Sequence, residues 1–247
     1  MIPGFLILWA VLAAASWGDP EARRGPLVLA LVVAASLAVS LTLDRLPLRP
    51  AVRALGLSRP GPRELAVSAA TSALVLLVWP VTALLADTPI PVRRDWPLVL
   101  IGVLTLNGLA EEVIWRGYVF RRLSAGRSFW PAVARTMPLI ALTHIPIVLS
   151  AGPAVGLGAM LVAAVTSIAF SHLYVMGGGT VWAPGLLHAA IDSFKLVTLP
   201  AAAASVYPVL IIAFSLLVPL LVLLVPRARR EPAPESTERR RWSAHRR

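Results

Sequence analysis

The stretch PLVLIGVLTLNGLAEEVIWRGYVF (residues 97–120) decides the fold of this chain. It is long and apolar enough to cross a bilayer as one helix, which takes about 20 residues. It nevertheless contains the charged residues Glu111, Glu112 and Arg116. A charge at the centre of a membrane helix costs about 2.5–3.5 kcal/mol on insertion scales, so these residues indicate a functional site.

The rest of the chain also has the composition of a polytopic membrane protein. Of its 247 residues, 57% are hydrophobic and 14% are charged, whereas soluble domains contain about 25% charged residues. The chain contains no cysteine, which excludes disulfides, thiol catalysis and cysteine-based metal sites. The apolar N-terminus lacks a preceding positive region, so it is predicted to be a first transmembrane helix and not a signal peptide.

Eight apolar segments predict an all-α fold, with about eight transmembrane helices in one bundle. The segments are residues 2–17, 26–43, 64–86, 97–120, 131–150, 154–176, 180–200 and 205–226. Residues 1–63 would form the first two helices and a basic loop, and residues 64–226 would form a catalytic core. Residues 227–247 are polar, densely charged and contain proline, which predicts a disordered basic cytoplasmic tail.

The net charge of +11 is distributed unevenly between the two ends of the predicted helices. One end has, besides the basic tail, Arg45, Arg49, Arg53, Arg59, Arg63, Arg121, Arg122 and Arg127. The connections at the other end have only Arg23, Arg24, Arg93 and Arg94. This bias predicts an integral protein of the plasma (inner) membrane with both termini in the cytoplasm. The basic loops and tail are expected to contact anionic lipids of the bilayer, and the pattern does not favour nucleic-acid binding.

Three ionisable residues within the predicted helices can reach similar depths. At about 1.5 Å per residue, Glu111 lies about 21 Å along the fourth helix, in the cytoplasmic third of a core about 30 Å thick. His188 lies about 12 Å into the seventh helix from the cytoplasmic side. His144 lies about 20 Å into the fifth helix if that helix starts at Pro131, and less if it starts near Met137. We therefore predict one site between helices four, five and seven.

Spacing along each helix suggests a role for each charged residue of this site. Glu112 and Arg116 are four residues apart and can form an ion pair, which leaves Glu111 as the candidate general base. Asp192 follows His188 by four residues and can orient its imidazole. Pro146 and Pro184 should loosen the helices near the histidines and admit water.

Three other polar side chains within the helices are not assigned to the site. His172 is expected to form a hydrogen bond between helices. Arg135 and Lys195 are expected to extend towards the membrane interface.

Three motifs in these helices resemble those of the CPBP family, which includes type II CAAX prenyl proteases and bacteriocin-processing, Abi-like membrane proteins. The segment EEVIWR (111–116) is similar to the EExxxR motif of that family. IALTHIP (140–146) resembles FxxxH, and TVWAPGLLHAAID (180–192) resembles a Trp-x-Pro stretch leading into HxxxN. The resemblance covers about residues 97–195 and includes the order and spacing of the motifs.

The resemblance implies a protease that hydrolyses a peptide bond of a peptide or membrane-protein substrate. Glu111 would activate water with help from His144, while His188 and Asp192 would polarise the carbonyl and stabilise the oxyanion. Glu112 and Arg116 would brace the site. The chain departs from the motifs at Ile140, where phenylalanine is usual, and at Asp192, where asparagine is usual. An ionised carboxylate cannot donate to an oxyanion as an amide can.

The leading hypothesis from the sequence is an intramembrane endopeptidase that acts near the cytoplasmic leaflet through glutamate- and histidine-activated water. In a metalloprotease variant, Glu111, His144 and His188 would instead bind Zn²⁺. A non-catalytic immunity or scaffold protein of the same fold is the alternative. A proton-coupled transporter would also use intramembrane Glu and His, but no inverted repeat is visible in the sequence.

Overall fold

A computed structural model describes residues 1–227 of the chain. The predicted disordered tail, residues 227–247, falls outside the described residues except for its first position. Eight apolar helices are numbered α1 to α8 here: Ile2–Ser16, Gly25–Thr42, Pro62–Leu85, Trp96–Leu123, Phe129–Ala151, Pro153–Met176, Trp182–Ile191 and Tyr207–Leu224. A short helix, Leu48–Ala54, connects α2 to α3. The protein is an all-α polytopic membrane protein.

Six of these helices, among residues 1–227, are long and apolar enough to span a membrane. The predicted count of eight is not confirmed, because α1 has 15 residues and α7 has only 10. The seventh predicted helix, residues 180–200, was too long. The α-helix ends at Ile191, and a 3₁₀ turn, Asp192–Leu196, follows it. Beyond this polar turn the backbone becomes extended, and Val197 forms a bridge with Val92.

Proline interrupts two of the long helices. In α5, the helical segments Phe129–Leu142 and Ile145–Ala151 are separated at Thr143 and His144. Pro146 has no N–H group to bond to the carbonyl of Leu142, which explains the break beside His144. This loosening was expected from the sequence. The helix α3 is likewise divided into Pro62–Leu76 and Val78–Leu85, with Pro80 near the start of its second part.

Contacts between the connections define two ends of the bundle. At the arginine-rich end (residues 43–61, 124–128, 177–181 and 225–227), Arg122 pairs with Asp44. At the same end, the Trp182 indole donates to Ser58 O at 2.8 Å. The predicted separation of the arginine groups is therefore present in the folded chain.

The other end, called the arginine-poor end, comprises residues 17–24, 86–95, 152 and 197–206. Arg93 pairs there with Glu21 at 2.7 Å and with Asp95 at 3.1 Å. Its hydrogen bonds lower the pKa of both carboxyl groups. The Arg93 backbone N–H also donates to Leu196 O at 2.9 Å. This backbone bond fastens the chain after α7 to the connection that precedes α4.

Candidate active site

The site is built where α4 and α7 cross. Gly108 of α4 and Gly185 of α7 meet without side chains: a Cβ added at Gly108 would lie 2.6 Å from Gly185 O. Small residues of this kind allow the backbones of two membrane helices to approach closely. One turn further along each helix, the close crossing places Glu111 and Glu112 opposite His188.

Glu112 links the two helices. Its Oε1 accepts a hydrogen bond from the Arg116 guanidinium at 2.8 Å and another from His188 Nδ1 at 2.9 Å. Both Glu112 and Arg116 are buried. The predicted ion pair within α4 is present. The residue that orients the imidazole, however, is Glu112 and not Asp192 as the spacing suggested.

The ring of Phe170 in α6 packs against both His188 and Arg116. Its ring stacks on the imidazole of His188, with centroids 4.9 Å apart and planes at 22°. The guanidinium carbon of Arg116 lies 4.9 Å from the centre of the same ring, within the range of a cation–π contact. His188 therefore has a fixed ring plane as well as a fixed Nδ1 partner. Phe170 was not assigned a role from the sequence, where it looks like an ordinary apolar residue.

Glu111 lies between two wider helical turns. The helix α4 is π-helical at Leu104–Ala110 and Val113–Phe120, and π-helical turns occur often at functional sites. The Glu111 carboxylate accepts from the Asn107 amide at 3.3 Å and lies 3.9 Å from His188 Nε2. It is partly exposed, in contrast to Glu112. Glu111 can therefore reach a water molecule, while Glu112 is committed to two partners.

His144 presents one ring nitrogen to the site. It lies at the break in α5, and its Nδ1 is 2.9 Å from Ile140 O. A carbonyl oxygen can only accept, so Nδ1 carries the proton and Nε2 of the neutral ring is left as an acceptor. The His144 imidazole is therefore held through Nδ1 by the first part of its own helix.

A small cavity joins the residues of all three predicted motifs. It has a volume of about 30 Å³, and its polar lining includes Glu111, Arg116, His144 and His188. A single water needs about 10–15 Å³ of such space together with two to four polar partners. The structure therefore brings the acid and both imidazoles to one space of the size of a water molecule.

A larger cavity of about 600 Å³ leads to the same acid from one side. It shares Glu111, Trp115 and His144 with the small cavity. Its other walls come from the C-terminal half of α1, the connection at residues 17–20, and the second part of α5. These elements belong to the arginine-poor half of the bundle. From the sequence, we expected the hollow to lie towards the arginine-rich end instead.

Lys195 was predicted to extend to the membrane interface, and this prediction was wrong. Its side chain is only 16% exposed, and its ammonium donates to Asn107 Oδ1 at 2.9 Å. The same ammonium lies 4.0 Å from Asp192 Oδ2. Arg135, in contrast, is exposed and donates to Pro131 O at 3.0 Å. Asn107 and Lys195 are therefore residues that the sequence analysis missed, and both line the larger cavity.

His172 lies apart from both cavities. Its Nε2 is 2.9 Å from Val225 O, just beyond the end of α8. Its ring contacts the edge of Phe129, with centroids 6.2 Å apart. This is the structural hydrogen bond between chain segments that was expected for this histidine.

The zinc variant requires Glu111, His144 and His188 to surround an ion. Within residues 1–227, no three His, Asp or Glu side chains are arranged so that they could hold one together. Because the described residues contain no such group, we derive no step through a metal.

These features define an α-helical membrane protein with a buried Glu/His site beside a large cavity. Comparison with known families extends this description. Residues 93–194 match the family "type II CAAX prenyl endopeptidase Rce1-like", which confirms the CPBP resemblance of the three motifs. This segment, from the start of α4 to the turn after α7, is therefore assigned to the CPBP family. No curated protein and no solved structure gives a significant match.

Proposed function

We propose that the protein is an intramembrane endopeptidase that hydrolyses a peptide bond with a water activated by Glu111. The main support is the small cavity, where Glu111, His144 and His188 share space for a single water. The Rce1-like match over the same helices agrees with a peptidase of the CAAX-protease type. The physiological substrate would be a peptide or a membrane protein.

In the proposed reaction, the Glu111 carboxylate removes a proton from the water as its oxygen attacks the carbonyl carbon. His144 accepts a hydrogen bond from the water through Nε2 and directs its lone pair towards the carbonyl. When the C–N bond breaks, Glu111 returns the proton to the leaving amine nitrogen. The partial exposure of Glu111 suits this exchange, because the carboxylate can meet both water and substrate.

The negative charge that develops on the carbonyl oxygen needs a donor. His188 is the best placed group: Glu112 holds its Nδ1, and Phe170 holds the plane of its ring. In the imidazolium form, Nε2–H would donate to the oxyanion. Glu112 and Arg116 support this geometry through His188 and are positioning residues.

The larger cavity would admit the substrate. Its lining combines Trp9, Leu12 and Ile147 with the polar ends of Asn107 and Lys195, which suits an apolar segment with a polar group near the scissile bond. If the arginine-rich end is cytoplasmic, as the positive-inside rule suggests, this cavity faces the opposite leaflet. We therefore propose entry from the arginine-poor end, in place of the cytoplasmic leaflet expected from the sequence.

The surroundings of the enzyme would be a plasma (inner) membrane with anionic lipids at the arginine-rich end. The short helix Leu48–Ala54 and its flanks carry exposed Arg45, Arg49, Arg53 and Arg59 at that end. Each basic side chain near an anionic surface contributes about 1 kcal/mol of attraction. This contact would hold the bundle in one orientation.

A comparison of protein N-termini in cell membranes tests the peptidase. Membranes from cells that express the wild-type chain should contain N-termini that are absent from cells that express Glu111→Gln. The sequences of these N-termini would identify the substrate and its cut site. Glu64→Gln is a matched control: Glu64 caps α3 through the Gly61 N–H, and glutamine can cap in the same way. Identical N-termini for wild type and Glu111→Gln, at equal protein levels, would reject the peptidase.

A non-catalytic immunity or scaffold protein is the second candidate. It is favoured by Asp192, since an aspartate replaces the amide donor of the related motif. This candidate predicts that Glu111→Gln leaves the cellular phenotype unchanged. The same pair of variants therefore separates the two functions.

A further inference from the structure

Lys195 and Asp192 lie together on the 3₁₀ turn that follows α7, and Lys195 lines the larger cavity. Their charged groups are 4.0 Å apart, and the two side chains are 16% and 19% exposed. Two charges this far from water are each costly unless they are paired. Asp192 occupies the position where the related motif has a neutral asparagine.

The ammonium of Lys195 also determines how Asn107 faces Glu111. An ammonium can only donate, so the atom of Asn107 that lies 2.9 Å from Lys195 Nζ must be the amide oxygen. The NH₂ group must then face the other way, where it donates to Glu111 Oε1 at 3.3 Å. Lys195 therefore reaches the proposed general base through one intervening amide.

The backbone that carries Lys195 is well anchored. Leu196 O accepts from the Arg93 N–H at 2.9 Å, and the Thr198 N–H donates to Pro91 O at 3.0 Å. These bonds hold the turn against the connection that leads into α4, the helix of Glu111. The lysine is thus fixed to the same part of the bundle as the groups it contacts.

We propose that Lys195 is a positioning residue that balances the charge of Asp192 and, through Asn107, orients the carboxylate of Glu111. This inference deepens the proposed peptidase and rests on it. The Lys195–Asp192 pair would make an aspartate acceptable at a position where a neutral amide is usual. Without Lys195, the unpaired Asp192 would repel both Glu111 and the developing oxyanion.

The test is a cycle of full-length variants: Lys195→Met, Asp192→Asn and the double variant. Lys195→Met should reduce the Glu111-dependent N-termini by about tenfold or more, since small errors of position can cost about 10²-fold in rate. The double variant should recover the part of this loss that comes from the unpaired Asp192 carboxylate, while the part that comes from the released Asn107 amide should remain. Lys195→Arg should retain most activity. Arg135→Met removes an exposed positive charge from α5 and should cleave as wild type does.

Unchanged cleavage by Lys195→Met, or a double variant no better than Lys195→Met, would overturn the inference. If the wild-type chain cleaves nothing, the proposed peptidase function is rejected. The thermal midpoints of the same variants in detergent then test whether Lys195 and Asp192 stabilise each other. A smaller loss in the double variant than in Lys195→Met supports the pair. Additive losses overturn it.

Discussion

His188 Nδ1 of α7 lies 2.9 Å from Glu112 Oε1 of α4, and the same oxygen is 2.8 Å from the Arg116 guanidinium. One buried carboxylate oxygen therefore joins the first and third motifs. The adjacent Glu111 remains available to the cavity. The two neighbouring glutamates therefore have separate roles: Glu112 bonds Arg116 and His188, and Glu111 lines the cavity. These separate roles account for two acids and one arginine in a membrane-embedded helix.

Glu112→Gln is expected to lower both activity and stability. The amide cannot neutralise Arg116, and breaking a buried ion pair costs about 3–5 kcal/mol. We expect a clear fall in the thermal midpoint in detergent, together with loss of Glu111-dependent cleavage. Glu111→Gln should abolish cleavage but leave the midpoint near that of wild type. Equal effects of the two variants on the thermal midpoint would contradict these separate roles of Glu111 and Glu112.

Gly108→Ala should separate α4 from α7. The new Cβ would lie 2.6 Å from Gly185 O, closer than Cβ atoms approach other atoms in real structures, so the helices must move apart. The bond between Glu112 and His188 would lengthen, and cleavage should fall by about tenfold or more. Quantitative comparison of Glu111-dependent N-termini measures this effect.

Gly158→Ala is the matched control for the crossing. Its new Cβ would meet only Ile212 Cδ1, at 3.6 Å, which is an ordinary contact. This variant should behave as wild type. A fully active Gly108→Ala protein would show that the close crossing is not needed for the site.

Removal of metal ions should leave cleavage unchanged. The side chains of Glu111, His144 and His188 are not arranged to hold an ion, and the proposed water activation needs none. The assay uses purified protein and a peptide that spans a cut site found in the membrane comparison, with and without a strong chelator. Loss of activity that returns on addition of Zn²⁺ would instead support the metalloprotease variant.

The orientation in the membrane can be measured with single cysteines, because the natural chain has none. Trp17→Cys marks the arginine-poor end and Ala125→Cys the arginine-rich end, and both positions are exposed. With the arginine-rich end in the cytoplasm, a membrane-impermeant maleimide should label Trp17→Cys in intact cells. Ala125→Cys should react only after permeabilisation. The reverse pattern would place the larger cavity on the cytoplasmic side.

Much of the helical architecture follows from the sequence because apolar length and proline positions act locally. The helix over residues 97–120 and the break beside His144 were predicted in this way. The grouping of Glu111, His144 and His188 was also predicted, since helix rise and alternating direction are enough to estimate depth. The count of eight spans is not confirmed, because length alone does not show where an apolar segment stops being helical.

Lys195 illustrates what the sequence left undetermined. A helix over residues 180–200 would have carried Lys195 towards an interface. The actual helix ends at Ile191, and the turn that follows brings the ammonium back to Asn107. This outcome depends on the pairing of residues 91–93 with residues 196–198, a contact between distant segments that no local pattern encodes.

The sequence by itself determined that this is a helical membrane protein, because hydrophobicity and motif spacing are properties of the chain alone. It also determined that charged residues lie within the helices, where their cost indicates a functional site. Only the tertiary structure decided which glutamate holds His188, which end the larger cavity approaches, and that Lys195 faces the site. Those features depend on distances between helices, and such distances are set by close packing at positions such as Gly108 and Gly185.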